Sequence, residues 1–195
     1  MHFMAVKLDG RESRMPAALS PQLMLCIHGA TSIKGSDGSL LRRPRLVLNG
    51  PCLGARHSYS EPETIAISVM FRPGLLQEVL PIAVREINSG FLDLGDIVGG
   101  ERVQALFDAV DKETAVSEQV RLFQDFLLVT LNLTAKKKSI GAAFLAAHQM
   151  AFLPLIDFAE YFHIGERQLE RRMQRVFGVS LRDVRRVYLG EKFSL

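Results

Sequence analysis

Two adjacent residues, Pro73 and Gly74, divide the chain into parts that follow different hydrophobic periods. Proline has no N–H to give to a strand ladder, so a Pro-Gly pair ends a sheet segment and can open a helix. Ahead of it, from about Pro21 to Phe71, short apolar runs are punctuated by Gly, Pro, Asn and Ser. Leu23–Ile27, Arg45–Leu48 and Thr64–Phe71 read as strands, with turn chemistry at Gly35-Ser36-Asp37-Gly38 and Asn49-Gly50-Pro51. Short strands separated in this way predict an antiparallel sandwich or small barrel. Behind the pair the spacing becomes helical: Leu75, Leu76, Val79, Leu80 and Ala83, then Val103, Leu106, Phe107 and Val110 after Gly99-Gly100. A longer helix is expected from Ser117, its N-cap, with Glu118 just inside, to about Thr134. Its stripe of Val120, Phe123, Leu127, Leu128 and Leu131 suits either an intrachain core or a homodimer contact through the helices of residues 101–134.

The balance of 48% hydrophobic and 23% charged residues excludes a disordered chain, and 195 residues are enough to bury a real core. No apolar run approaches the roughly 18 residues of a membrane span, so no membrane partner is expected. Met1–Asp9 lacks the order of a signal peptide, and the two cysteines, Cys26 and Cys52, fit neither a disulfide framework nor a zinc ribbon. A cytoplasmic protein with reduced cysteines is the expectation. Charge is uneven along the chain. Residues 136–195 hold 11 Lys and Arg against 6 Asp and Glu, net +5, whereas the first 135 hold 13 against 15, net −2. A basic segment on an otherwise balanced chain suits a module that meets phosphate, as it does a solvated helical surface. Lys136-Lys137-Lys138 reads as a linker, with loose phosphate contact as the alternative, and divides a domain over residues 1–135 from one over residues 139–195.

Within the second domain Ser139 is expected to cap a helix running to about Ala151, and Pro154 to open another ending near Phe162. Leu155, Phe158, Ala159 and Phe162 share a face of that helix. His163-Ile164-Gly165 then leads into a helix over residues 166–177, whose apolar set is Leu169, Met173, Val176 and Phe177. Two amphipathic helices joined by so short a turn form a helix-turn-helix. At about 100° per residue, Arg167, Arg171, Gln174 and Arg175 project roughly 140° to 240° away from Leu169, with Gln168 and Glu170 on the flanks. Such side chains can read base edges: Arg forks onto guanine, Gln pairs with adenine, Glu accepts from cytosine. A solvated helix with Arg167–Glu170 pairing is the alternative.

The run Leu155-Ile156-Asp157-Phe158-Ala159-Glu160, then Gly165-Glu166-Arg167-Gln168-Leu169-Glu170-Arg171-Arg172-Met173 and Phe177-Gly178-Val179-Ser180, resembles the first helix-turn-helix of the arabinose-regulator (AraC) family of bacterial transcription factors. The resemblance implies a transcription regulator that inserts the helix over residues 166–177 into the major groove of double-stranded DNA. Arg167, Glu170 and Arg171 would face the bases, Gln174 and Arg175 would lie nearer the backbone, and Arg172 would pair with Asp157 or Glu160 or touch phosphate. Ile67–Gly74 followed by Phe91-Leu92-Asp93-Leu94 resembles an N-terminal domain found fused to such units, which implies a cupin-like β-domain followed by helices. The expected class is therefore α+β: an antiparallel β-barrel or sandwich, then helices, then an all-α helix-turn-helix subdomain. Departures from the family pattern are Leu181 in place of a proline, Leu189-Gly190 in place of an arginine, and His163 and Gly165 in place of the glycine and serine of turn and cap. Leu181–Phe193 corresponds to the joining helix, and the family's second helix-turn-helix is missing after it.

Two other classes compete. A cupin-type metalloenzyme would need clustered ligands, but His28 and His57 stand apart and no closely spaced second histidine follows His57. No catalytic constellation, cofactor motif or metal set stands out, so an enzyme is not expected. A small-molecule-sensing or protein-interaction module with a truncated, weakly DNA-binding unit is compatible with the same residues. Arg56, Tyr59 and Arg72 are its candidate ligand-orienting side chains.

Overall fold

A computed structural model of the chain describes residues 2–131 and 154–192, apart from Ser36, Pro73 and Ser89. The Lys136-Lys137-Lys138 break and the helix expected over residues 139–151 lie outside the described residues. The architecture is α+β: two antiparallel sheets followed by helices, as the change of period predicts. The strands are β1 (His2–Leu8), β2 (Glu12–Met15), β3 (Gln22–His28), β4 (Thr31–Lys34), β5 (Leu40–Arg42), β6 (Leu46–Asn49), β7 (Arg56–Ser60), β8 (Thr64–Met70) and β9 (Phe91–Asp93). One sheet has the order β1-β8-β3-β6-β9 and the other β2-β7-β4-β5. Only β4 and β5 are both consecutive in the chain and paired; most other connections between successive strands pass from one sheet to the other.

The three strands expected from the sequence are β3, β6 and β8, and their composition explains why they were legible. Leu23, Met24, Leu25 and Cys26 are all buried, as are Leu46, Val47 and Leu48. A strand covered on both faces reads as a continuous apolar run. Leu23, Leu25, Leu46, Leu48, Ile67 and Val69 turn one face of the larger sheet toward the helices and share a cluster with Val103, Leu106, Val110, Phe123 and Leu127. Burying those six side chains contributes on the order of 10 kcal/mol. The Lys7–Glu63 ion pair is open to solvent and screened by it, so apolar burial and not surface charge fixes this layer. Met24, Val47 and Ala66 occupy the opposite face in a separate cluster.

The helices among the described residues are α1 (Leu76–Val79), α2 (Gly95–Val98), α3 (Gly100–Val110), α4 (Val116–Thr130), α5 (Leu155–Tyr161), α6 (Glu166–Phe177) and α7 (Leu181–Lys192), with a 3-10 turn at Val84–Ile87. The apolar set Leu75–Ala83 predicted one helix, but α1 is a single turn and the chain re-forms helically only at Val84. Pro81 stands in the interval, where its ring and missing N–H stop a helix. For α4 the expected N-cap is also displaced: Ala115 occupies the cap, Ser117 lies inside the helix, and no side chain bonds to the first turn. Of its stripe, Phe123, Leu127 and Leu131 are buried in the chain's own core and Val120 packs against it, while Leu128 is 64% exposed. Gln119, buried, donates from Nε2 to the carbonyls of Val110 (3.3 Å) and Glu113 (2.9 Å), and so closes the α3–α4 corner. Arg45, at the start of β6, forks onto Asp111, with Nη1 to Oδ2 at 2.9 Å, and lies 4.5 Å over the Phe107 ring, tying sheet to α3. That guanidinium holds the Asp111 carboxyl below the usual aspartate range.

Candidate nucleic-acid interface

Pro154 precedes α5, a chain reversal follows at 162–165, and α6 and α7 complete the unit. Its core is built from the residues the helical period selects: Phe158, Ala159, Leu169, Met173, Val176 and Phe177, joined by Val179, Leu181, Val184 and Val187. Phe158 and Phe162 meet edge to face with centroids 5.3 Å apart. Leu19 is buried in the same cluster, with Ala17 and Leu53 against it, so the front of the chain supplies one wall.

Burial of one face of α6 leaves the other to solvent. Leu169 and Met173 are 0% and 1% exposed, whereas Arg167, Gln168, Arg171, Gln174 and Arg175 are exposed and Glu170 and Arg172 half-buried. Among the described residues none of Arg167, Arg171, Arg172 and Arg175 forms an ion pair. The expected partnership of Arg172 with Asp157 or Glu160 is therefore not made, nor is the Arg167–Glu170 pair of a merely solvated helix. Gln168, Arg171, Arg172 and Arg175 line a shared surface hollow. A second hollow of about 400 Å³ runs from Arg171, Gln174 and Arg175 to Gln77 and Arg85, so Arg85 of the 3-10 turn extends the cationic face. Sequence reasoning missed Arg85, because it is remote in the chain and only tertiary contact brings it beside α6.

The ends of α6 are held unequally. Gly165 sits at its N-cap with no side-chain bond, and His163 takes the left-handed region at φ 52°, where a residue with a Cβ is strained. At the other end Gly178 closes the helix at φ 72°. A Cβ there would come within 3.0 Å of the Arg85 nitrogen and the Val84 carbonyl carbon, so glycine both ends the helix and admits the 3-10 turn. The Asn88 amide donates to the Gly178 carbonyl across this contact. Ser180 then caps α7: Asp183 N donates to its Oγ at 3.2 Å, and that hydroxyl donates to Asp183 Oδ2 at 2.7 Å. The Ser-x-x-Asp spacing is the signal from which this capping box could have been read. Ser180→Ala should cost about 1 kcal/mol of stability in urea denaturation, and Ser180→Gly only a few tenths.

Arg56, Tyr59 and Arg72 do not come together. Arg56 and Tyr59, three apart on β7, point to opposite faces of the strand, Tyr59 bonding to Glu12, and Arg72 is exposed beyond the end of β8. His28 is exposed, and His57 pairs with Glu12. Among the described residues no group of three or more His, Cys, Asp or Glu side chains could hold a metal ion, and no helix is long and apolar enough to cross a membrane.

The described residues form two antiparallel sheets followed by a helix-turn-helix whose cationic face makes no ion pair among them. No family model and no curated protein matches the sequence. Among solved structures, the chain is similar to the apo form of a ToxT variant from Vibrio cholerae, with 10% identity over 98% of this chain and 81% of that one at a TM-score of 0.48. Unsaturated-fatty-acid-bound ToxT from the same organism gives 9%, 98%, 80% and 0.45. The AraC-like transcriptional activator CuxR gives 11%, 98%, 76% and 0.40.

Proposed function

We infer that the chain is a sequence-specific DNA-binding transcription regulator, with α6 as the helix that enters the major groove of duplex DNA. One observation carries this reading: Arg167, Arg171 and Arg175 stand exposed, with no carboxylate partner among the described residues, on a helix whose opposite face is fully buried. Long cationic side chains left unpaired on a rigid support are available to phosphate and to the N7 and O6 acceptors of guanine. Arg167, Arg171 and the rim residue Glu170 are assigned to base edges, Gln174 and Arg175 to the adjoining backbone, and Gln168 and Arg172 to the flanks. The likeness of residues 155–180 to the arabinose-regulator family supports the same assignment. Residues 1–135, cupin-like in this reading, form the accessory domain and 139–195 the reading unit.

The described helix-turn-helix reaches few phosphates by itself. Two chains offering one unit each gain affinity without any new contact, and Leu128 and Val129 of α4, 64% and 87% exposed, are the apolar surface such a homodimer would cover. The test is fluorescence-anisotropy titration of the full chain with duplexes enriched from a random library, repeated between about 50 and 200 mM salt. Affinity should fall steeply with salt, and Arg171→Ala should weaken binding to the preferred duplex by roughly 5- to 150-fold. Equal binding by wild type and Arg171→Ala would overturn the assignment of α6.

A further inference from the structure

The chain between β5 and β6 crosses from the smaller sheet to the larger, and Arg43 lies in that crossing. Its backbone N–H donates to the Thr31 carbonyl at 2.9 Å, which draws the residue inward, and it is only 7% exposed. Its guanidinium gives one bond, from Nη2 to Ser58 Oγ at 3.3 Å, while Nε is buried without a partner. Ser58 lies on the buried face of β7, opposite Ile33 of β4, and strand alternation puts Arg56 on that same face. Arg56 in turn has a buried Nη2 with no partner. Two guanidinium groups thus lie near enough to repel each other, each with a buried donor unspent.

Buried arginines are ordinarily matched by carboxylates. Here the buried polar residues of the described chain include no Asp or Glu. Burial, and secondarily the charge of Arg56, pushes the Arg43 guanidinium down to about 10, which leaves it charged at neutral pH. The arrangement contrasts with Arg45, two residues on, whose guanidinium is bonded to Asp111. It also differs from the helix-facing core, where the buried Gln119 amide is hydrogen-bonded to two carbonyls. Among the described residues no buried carboxylate answers these two cations, and an anion from outside the chain would do so.

We propose that Arg43 and Arg56, with Ser58, form a binding site for one oxoanion group, carboxylate or phosphate, of a small molecule. The Nε and Nη2 edge of a guanidinium matches the spacing of two oxygens on such a group, and Arg56 Nη2 supplies a further donor. The site does not depend on the DNA-binding assignment and lies on other elements. Thermal unfolding of the full chain at pH 7, with sodium chloride exchanged for sodium benzoate or sodium phosphate at constant ionic strength, tests it. At about 10 mM, at least one oxoanion should raise Tm by roughly 3 °C or more relative to chloride. A response to benzoate alone assigns a carboxylate and to phosphate alone a phosphorylated ligand.

Arg43→Met removes an unmatched buried charge, so in chloride its Tm should equal or exceed that of the wild type, and the oxoanion shift should vanish. Arg56→Gln should reduce that shift at least threefold. If Arg43→Met does not fold, the Arg56→Gln comparison decides, since Arg56 is half-exposed. Indistinguishable behaviour in all three salts, or a full shift retained in both variants, would overturn the site.

Discussion

A chain in which Arg171 and Arg175 are both replaced by glutamate should lose DNA affinity by a factor of about 30 to 25,000 while folding as the wild type does. The lower figure corresponds to about 2 kcal/mol and the upper to about 6, that is, about 1 to 3 for each arginine that contacts base or phosphate. Reversal exceeds simple truncation because each glutamate also repels the phosphates. Neither side chain carries an intramolecular ion pair among the described residues, and both are exposed. The folded state therefore loses little when they change, and surface substitutions of this kind stay within about 0.5 kcal/mol. The salt dependence should flatten too, since each lost phosphate contact lowers the logarithmic slope by about 0.9. Anisotropy titrations at several salt concentrations, beside thermal denaturation of the same preparations, measure both. Loss of binding together with loss of stability would count against a reading role, and unchanged binding would refute it.

The largest structural effect is expected at Gly50, at the end of β6. A Cβ there would lie 1.8 Å from the Ile87 carbonyl oxygen and 2.5 Å from its carbonyl carbon, both of them backbone atoms that cannot swing aside. Gly50→Ala must therefore displace the whole 3-10 turn. That turn buries Val84 and Ile87 in the main core, and it is followed by the Gly50 N–H bond to the Gly90 carbonyl at 3.2 Å. Moving it opens core packing and breaks that bond together, which places the cost in the exceptional range above about 4 kcal/mol. For a chain of this length that corresponds to a Tm lower by on the order of 10 °C. Gly54→Ala is the control: nothing lies within 4 Å of its Cβ position, and its Tm should move by no more than about 1 °C. Similar melting of the two variants would show that the close approach at Gly50 is not what holds the turn.

What could be read beforehand follows physical lines. The exposed face of α6 was legible because its pattern is intense: four apolar residues at helical spacing force every arginine of the helix outward or to the rim. The strands β3, β6 and β8 were legible because burial on both faces writes itself as a continuous apolar run. By contrast β2 and β7, Glu-Ser-Arg-Met and Arg-His-Ser-Tyr-Ser, carry mostly polar side chains on a smaller sheet, and no local signal separates them from loop. Arg43 was missed for a different reason. In the run Arg42-Arg43-Pro44-Arg45 three arginines look alike, and the fold treats each differently: Arg42 stays exposed, Arg45 clasps Asp111, and Arg43 goes inside. Only the crossing between sheets makes that distinction, and it is a property of tertiary structure. The opposed faces of Arg56 and Tyr59 follow once β7 is known to be a strand, since residues three apart on a strand cannot point the same way.

The wall that Leu19, Ala17 and Leu53 lend to the helix-turn-helix bears on how this helical unit could be moved to another protein. A transplant beginning at Pro154 would arrive with one side of its hydrophobic interior bare. The graft would need either those borrowed residues, presented by the Ala18–Cys52 bridge, or polar replacements along the seam they cover.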